Sequence, residues 1–557
     1  MQQNQQNTGL VSKQKTKRNN WVDTALCLGL GLLCLAGTVM LFGIRYELND
    51  DAIISNIAAG AYGTGTQYLV YVNVLLGWLL KPFYLLPGSL NWFVLLLLAG
   101  GVVCFTLLGR LLVQKLGRLA GLSLFVAFLA LVGVDFFQRF HYVKYAGLFL
   151  TVGLVLVLQN LGHYNKGLAA GLVLALLGSM LRFQQFFAIG GLAAALLLYK
   201  FFTLDKPKKI KAAVGVGLLV VLAFGAKGID TMAYNTHEGW ATYARYNALR
   251  TEISDFKLQF ATGPEVLQPL GYTATDFEML QTWNFYDGDV FSASALQEVI
   301  AALPGNTPGR ALRQALTMGS SMLYARPAGF LFGAVLLGWL FLSNKKWWPA
   351  LLGTLAILAA EILYLCWQGR LPPTIHFSLT MAAFIFCTCC IKLPQAPQKN
   401  WFSFVAAVLV LCSIPSFIGF KDAADTYWES RPPREAEFIS FTQNKDTLYL
   451  ADVDLVDAAN GYNVWTAKPK GYFENIVFTG SWLAQSPFQQ QALQSHGLNN
   501  LYRDSIDKED VIYLDFVYRA LKEDYLRQHY AAGASLQRIE EGVTLHAYAA
   551  RTGVPAA

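Results

Sequence analysis

Hydrophobic positions along this chain run together instead of alternating with polar ones. Eleven stretches, at 21–44, 89–109, 119–137, 143–162, 167–182, 184–202, 212–230, 323–343, 348–367, 374–392 and 401–420, are apolar almost throughout. A helix needs about 20 such residues to cross a bilayer. The pattern therefore predicts a polytopic α-helical membrane protein with about eleven transmembrane helices. A further apolar stretch, 68–86 (YLVYVNVLLGWLLKPFYLL), is stopped around Pro82 and Pro87, and Gly60, Gly63 and Gly65 supply a turn before it. It reads as an interfacial or re-entrant helix, because proline halts a helix and irregular backbone at membrane depth must be sheltered by protein. Beyond residue 420 the period changes. TLYLADV (447–453), NIVFTG (475–480), VIYLDF (511–516) and VTLHAYA (543–549) read as short strands, with helices expected at 434–443, 486–496 and 518–529. Residues 421–557 are thus expected to form a small α/β domain outside the membrane.

Charge orders these elements. Lys13, Lys15, Lys17 and Arg18 precede the first apolar stretch, and no small-residue cleavage signal comes after it, so residues 1–20 read as a basic tail ahead of a retained anchor. With that tail in the cytoplasm, the inner loops carry Arg110, Lys115 and Arg118, then Lys166, then Lys206, Lys208, Lys209 and Lys211, then Lys345 and Lys346, then Lys392 and Lys399. The outer loops carry Glu47, Asp50, Asp51 and Asp135, followed by the long acidic loop 231–322. Every inner loop agrees with one orientation under the positive-inside rule. Counting 68–86 as a span would reverse all the later loops. The first outer loop, 45–88, is therefore expected to hold two surface helices, 51–61 and 67–86. The transmembrane domain then covers 21–420.

Composition narrows the class further. The chain is 54% hydrophobic and 14% charged, which excludes an ordinary soluble enzyme, a disordered chain and a nucleic-acid-binding domain. Its formal net charge of +7 reflects short basic loops and no polyanion-binding face. All eight cysteines lie in apolar stretches, and no histidine accompanies Cys387, Cys389 and Cys390, so neither a disulfide framework nor a zinc site is expected.

Chemistry-bearing residues cluster where apolar stretches end. The run Arg45-Tyr46-Glu47-Leu48-Asn49-Asp50-Asp51 places three carboxylates within five residues, which suits a general base or a divalent cation. Neighbouring helix positions point about 100° apart, so Asp50 and Asp51 need not share a task. The competing reading makes Asn49 or Asp50 a helix cap. The second cluster is Asp135, Arg139, His141 and Lys144 among aromatics, able to hold a phosphate beside a carboxylate or to form an interfacial belt of snorkelling cations. Arg182, Glu361 and Arg370 are charges inside or at the ends of apolar helices, where such groups usually face a cavity. In the long loop, Arg245, Tyr246 and Arg250 could bind an anionic or sugar substrate, or simply belong to an amphipathic surface helix. Trp283 to Asp289 (WNFYDGD) mixes aromatic and polar groups in a carbohydrate-like way.

An acidic pair directly after the first span, two surface helices in the loop that carries it, many spans and an outer C-terminal domain together resemble the GT-C superfamily of integral-membrane glycosyltransferases. The run RYELNDDAIISNIAAGAYGTG, with LRFQQF, looks like poorly characterised bacterial members of that group. The resemblance implies transfer of a sugar, with inversion, from a polyprenyl-phosphate-linked donor to a hydroxyl of an envelope glycan, lipid or protein. It places the protein in the bacterial plasma membrane, with membrane lipids, donor and acceptor as partners and no nucleic acid. Asp50 or Asp51 would be the base or a ligand of Mg2+ or Mn2+. Asp135 would take the second acidic position, here single where relatives have a pair, and Glu47 stands beside them. Arg139, Lys144, Arg182 and Arg370 are candidates for the donor phosphate by charge and placement, with His141, Glu361, Arg245 and Tyr246 as further substrate contacts. A transporter or flippase for lipid-linked glycans, a polysaccharide polymerase or ligase, and a non-catalytic scaffold for envelope assembly are the alternatives.

Overall fold

The computed structural model describes residues 2–325, 338, 345–390 and 399–553. The chain is a mostly helical, multi-span protein with a small C-terminal mixed β-sheet domain. Among the described residues nine helices are long and apolar enough to cross a membrane. They are Trp21–Phe42, Trp92–Leu116, Arg118–Gln138, Tyr142–Gln159, Phe183–Phe202, Lys206–Asn235, Lys345–Trp367, Pro373–Cys390 and Ser403–Phe441. Each matches an expected span. The span expected at 323–343 falls largely outside the described residues, as does Lys392. The one expected at 167–182 is the shorter helix Lys166–Leu181, 16 residues long. At 1.5 Å per residue it rises only about 24 Å, less than the roughly 30 Å of a bilayer core. It still joins the two ends of the bundle. Asn165 beside its start bonds Asn160 after the Tyr142–Gln159 helix, and Arg182 at its finish reaches Tyr142 at that helix's start. Small residues let these two helices touch: a methyl group on Gly153 would sit 2.5 Å from the Ala175 nitrogen, and one on Gly178 2.7 Å from the Ala146 oxygen.

The connection between the first two long helices begins and ends at the same end of the bundle. Its first helix, Asp50–Ala59, stops at Gly60, whose φ of 84° closes the turn that the glycines predict. The stretch 68–86 is not one helix. Residues up to Asn73 are irregular, and a seven-residue helix, Val74–Leu80, comes next with Asn73 as its cap. Seven residues rise about 10 Å, too little to cross a bilayer. The segment is sheltered by protein: Asn73 N–H donates to Met180 O at 2.8 Å, and Val74 N–H to Asp230 at 2.9 Å. Loss of these backbone partners, supplied from other helices, would leave polar groups unsatisfied.

Two short strands and a five-stranded sheet complete the architecture. Strands β1 (Arg45–Tyr46) and β2 (Arg139–Phe140) pair parallel. The sheet contains β3 (Leu448–Ala451), β4 (Ile476–Phe478), β5 (Val511–Asp515), β6 (Ala534–Glu541) and β7 (His546–Thr552), in the order β4-β3-β5-β7-β6. β3 is parallel to β4 and β5, while β7 is antiparallel to β5 and β6. β6 is not among the expected strands; its second half, RIEE, is exposed, so it lacks an apolar signature. Both faces of the central strands are covered. Leu448, Leu450, Val477, Val511 and Tyr513 join one core with Phe277, Phe285 and Phe291 of the long loop. Tyr449, Ala451, Ile476, Phe478 and Leu514 join the core of the helical bundle. A strand buried on both faces must be apolar at every position, which explains why VIYL and IVF read as continuous runs. The long loop and the sheet are therefore one packed unit, seated on the end of the bundle.

Candidate functional site

The two charged clusters, some ninety residues apart in sequence, meet through β1 and β2. The first helix ends at Gly43, where φ is +71° and a Cβ would lie 2.8 Å from the Trp428 indole nitrogen, so only glycine fits this exit. In the helix leading to β2, a wider turn at Leu129–Gly133, closed by Val134 N–H to Leu129 O, precedes Asp135. Such turns insert an extra residue and re-aim the side chains beyond them. Arg45 then stands opposite Arg139 and Tyr46 opposite Phe140, and Glu47 N–H donates to Phe140 O at 2.9 Å.

Most charges in this junction hold each other. Lys144 is fully buried and pairs with Glu47 at 2.9 Å. Arg139 pairs with Asp135 at 2.9 Å and lies over the Phe420 ring. Asp51, fully buried, accepts from His141 Nδ1 at 2.8 Å and from Tyr142 N–H at 2.7 Å. His141 occupies the cap position of the Tyr142–Gln159 helix without capping it by its own side chain; Asp51 does so from another helix. Burial pushes the Asp51 pKa up, against the lowering effect of His141 and the Tyr142 N–H. Burial opposes protonation of His141, but the carboxylates of Asp51, Asp50 and Glu47 outweigh it and raise its pKa. The pair holds a proton tightly and is structural.

Asp50 differs. It is half-buried, and among the described residues it has no hydrogen-bond or ion-pair partner. Neither Asn49 nor Asp50 caps the Asp50–Ala59 helix through its side chain. One residue of helical rotation separates Asp50 from Asp51 and turns it towards Arg182, Tyr142 and Tyr71, all within its electrostatic reach. Arg182 donates to the Tyr142 hydroxyl at 3.3 Å and lies 5.0 Å over the Tyr71 ring, with no carboxylate within 4 Å among the described residues. On the other side of Tyr71, the buried Arg250 donates to its hydroxyl at 3.4 Å and to Asn247 at 2.5 Å. Arg250 also packs over Trp283, 5.1 Å from the ring centre. Tyr71 is held here by Val70, whose φ of +66° is uncommon for a β-branched residue and whose N–H donates to the Tyr234 hydroxyl at 2.8 Å. The result is a carboxylate, two guanidinium groups and two phenols at one end of a helical bundle, beneath the sheet domain.

The remaining candidates lie elsewhere. Arg370 forms an ion pair with Asp255, a carboxylate within electrostatic reach of Tyr71. Glu361 faces the Phe183–Phe202 helix, where a methyl group on Gly191 would sit 2.6 Å from its Oε1. Tyr246 is buried and donates to Phe285 O at 2.9 Å, holding the long loop together, while Arg245 is exposed. Asp50, Asp51 and Asp135 do not converge into a ligand set, because His141 and Arg139 occupy the last two. No cluster of three or more His, Cys, Asp or Glu suited to a metal occurs among the described residues, so the donor set does not fit Mg2+ or Mn2+. Tyr71, Tyr142 and Asp255 carry no local signal in the sequence that marks them for this site. Arg250 does carry one: its spacing from Tyr243 and Tyr246, seven and four residues, puts it on their buried face.

Comparison with known proteins adds no family: no family model matches the chain, and no curated protein or solved structure matches it significantly. Fold and span count define a multi-pass membrane protein with a sheet domain at one end.

Proposed function

We propose that this chain is an integral-membrane glycosyltransferase of GT-C type, moving a sugar from a polyprenyl-phosphate-linked donor to an acceptor hydroxyl of an envelope glycan, lipid or protein. The observation that carries the proposal is Asp50, a half-buried carboxylate without a partner among the described residues, set beside the similarly uncompensated Arg182. The reaction needs both groups. The acceptor oxygen forms a bond to the anomeric carbon from the face opposite the phosphate, inverting it, while its proton passes to Asp50. The bond from that carbon to the phosphate oxygen breaks, and the lipid phosphate leaves with the electron pair, its charge met by Arg182. A positioned base supplies about 10²–10⁴-fold, and a fixed cation aimed at developing charge adds to it. Tyr71 and Tyr142 orient the guanidinium.

The topology supports the same reading. Lys115, which donates to Thr388 O, and Lys200 lie at the end of the bundle away from the sheet domain. With that basic end in the cytoplasm, Asp50, the long loop and residues 421–557 face outward from a bacterial plasma membrane, where a lipid-linked donor can be reached from the bilayer. The test is transfer of radiolabelled sugar from polyprenyl-phosphate donors by the purified protein in lipid. Turnover that survives Asp50→Asn unchanged refutes the assignment.

A further inference from the structure

A second feature on the other side of the same helix start is a cavity of about 270 Å³ between the bundle and the sheet domain. It is lined by Arg45, Arg139 and Arg431, with Tyr427, Tyr462 and Asp457. Arg45 and Arg139 are direct partners across β1 and β2, strands about 4.8 Å apart. Like charges opposite one another destabilise a strand pair, so this placement requires compensation. The neighbouring acids supply it unevenly. Glu47 is engaged by Lys144, Asp135 pairs with Arg139, and Asp457 faces Arg431 at 3.9 Å and hydrogen-bonds Asn49, which leaves Arg45 the least compensated. Burial, and after it the nearby Arg139, lower the Arg45 pKa against the opposing pull of Tyr427, Glu47 and Asp135, and burial raises that of Asp457. Among the described residues Arg45 has no carboxylate within 4 Å; its one hydrogen bond is to Ala423 O at 3.5 Å, and its guanidinium lies 5.1 Å over Tyr427.

The cavity has an exit that indicates the source of its ligand. Arg45, Tyr427 and Arg431 also line an open cleft of about 500 Å³ that runs along residues 419–431. That cleft lies near the end of the Trp21–Phe42 helix, where Phe42 packs against Phe417 and Phe420, and these two helices expose the apolar side chains of Met40, Leu41, Ile414 and Ile418. We propose that the arginine cavity binds the phosphate headgroup of a membrane lipid, which enters through the cleft with its chains against those apolar residues. The planar, forked guanidinium groups suit phosphate oxygens better than point charges would. This site is separate from the Asp50 and Arg182 centre and does not depend on sugar transfer.

The test uses the purified full-length protein in neutral detergent, with bound lipid counted by native mass spectrometry. Phosphatidic acid, phosphatidylcholine with the same chains, and sodium phosphate against a sodium chloride control are the probes. Phosphatidic acid is expected to bind at least about tenfold more tightly than phosphatidylcholine. Arg45→Gln and Arg431→Gln are each expected to weaken it about tenfold or more, the value of one charge-assisted contact, whereas Arg45→Lys weakens it less. Arg431 is half-exposed at the rim of the cavity, so its variant still tests the site even where Arg45→Gln fails to fold. Asp50→Asn should leave this binding intact, so the two proposals can fail separately. Equal binding of the two lipids, or unchanged binding in both glutamine variants, overturns the proposal. Sodium phosphate that occupies the site and is not displaced by phosphatidic acid overturns the lipid assignment in favour of a free anion.

Discussion

Replacing Asp50 and Asp51 separately by asparagine distinguishes a working carboxylate from a structural one on adjacent residues. Asn keeps the size of Asp and most of its hydrogen bonding while removing the charge. At position 50 the carboxylate has no hydrogen-bond or ion-pair partner among the described residues and acts on His141 and Arg182 only at a distance, so stability should change by no more than about 0.5 kcal/mol. Transfer should fall about 10²–10⁴-fold, the contribution of a general base. At position 51 the carboxylate is fully buried and accepts from both His141 and the Tyr142 N–H. An amide oxygen can keep one of these bonds but not the ion pair. The loss is roughly 1.5–3 kcal/mol, that of a hydrogen bond to a charged group, and appears as a lower melting temperature. The assay pairs radiolabelled transfer with thermal unfolding of each purified variant. Asp50→Asn should be folded and inactive; Asp51→Asn should be less stable, with activity lost in step with folded protein. Wild-type turnover in Asp50→Asn refutes the reasoning, and so does a large fall in its melting temperature, which would give Asp50 a structural partner.

Arg182→Lys keeps the charge but loses the forked donor geometry, so KM for the lipid-linked donor should rise about tenfold or more; an unchanged KM removes Arg182 from the donor site. His141 has a raised pKa in the folded protein. The stabilisation from its protonation is therefore complete below about pH 6.5 and declines as the pH rises through the raised folded-state value, so the melting-temperature gap between wild type and His141→Gln should narrow from about pH 6.5 to about pH 9. A gap that widens over that range contradicts the pairing. Asp287 is fully buried and accepts from Tyr525 at 2.8 Å, Tyr530 at 2.5 Å and Asn500 at 2.7 Å, tying the long loop to the sheet domain. Asp287→Ala should remove the acceptor these three donors share and speed proteolysis within 262–292, and an unchanged cleavage rate would show that the shared hydrophobic core alone holds the loop.

The sequence is most legible where the rule is one-dimensional. Twenty apolar residues in a row must find lipid or a bundle interior, so nine expected spans appear where the apolar runs lie. Runs such as VIYL reveal strands because each position has its own apolar neighbour. Legibility falls where a partner distant in sequence decides the outcome. The stretch 68–86 is apolar enough for one helix, yet Asn73 and Val74 find better hydrogen-bond partners at Met180, Ala226 and Asp230, and the chain bends there. The clusters at 45–51 and 135–144 are visible as charge beside apolar runs. Their meeting is not, because a parallel pairing of two residues per strand leaves no periodic trace. Equally, no local feature marks Asp51 as the engaged carboxylate and Asp50 as the free one. That depends on where His141 stands, and His141 is placed by β2.

Three successive residues at one helix start thus serve three different parts of the molecule. Asn49 turns to the sheet domain and hydrogen-bonds Asp457. Asp51 turns inward and fixes the start of the Tyr142–Gln159 helix. Two turns on, Asn56 bonds both the side chain and the backbone of Asn460 and accepts from Lys468 N–H at 2.8 Å. Together these contacts hold the Asp50–Ala59 helix against both the bundle and the sheet domain. Asp50 itself adds no constraint and has none of its own, but its backbone is held by neighbours on both sides. A carboxylate in that position keeps its direction without being neutralised. Holding a group through the packing of its neighbours keeps it both reactive and in place, whereas a salt bridge would fix it only by consuming its charge. The division of roles among Asn49, Asp50 and Asp51 is therefore the strongest physical reason to place the chemistry at Asp50.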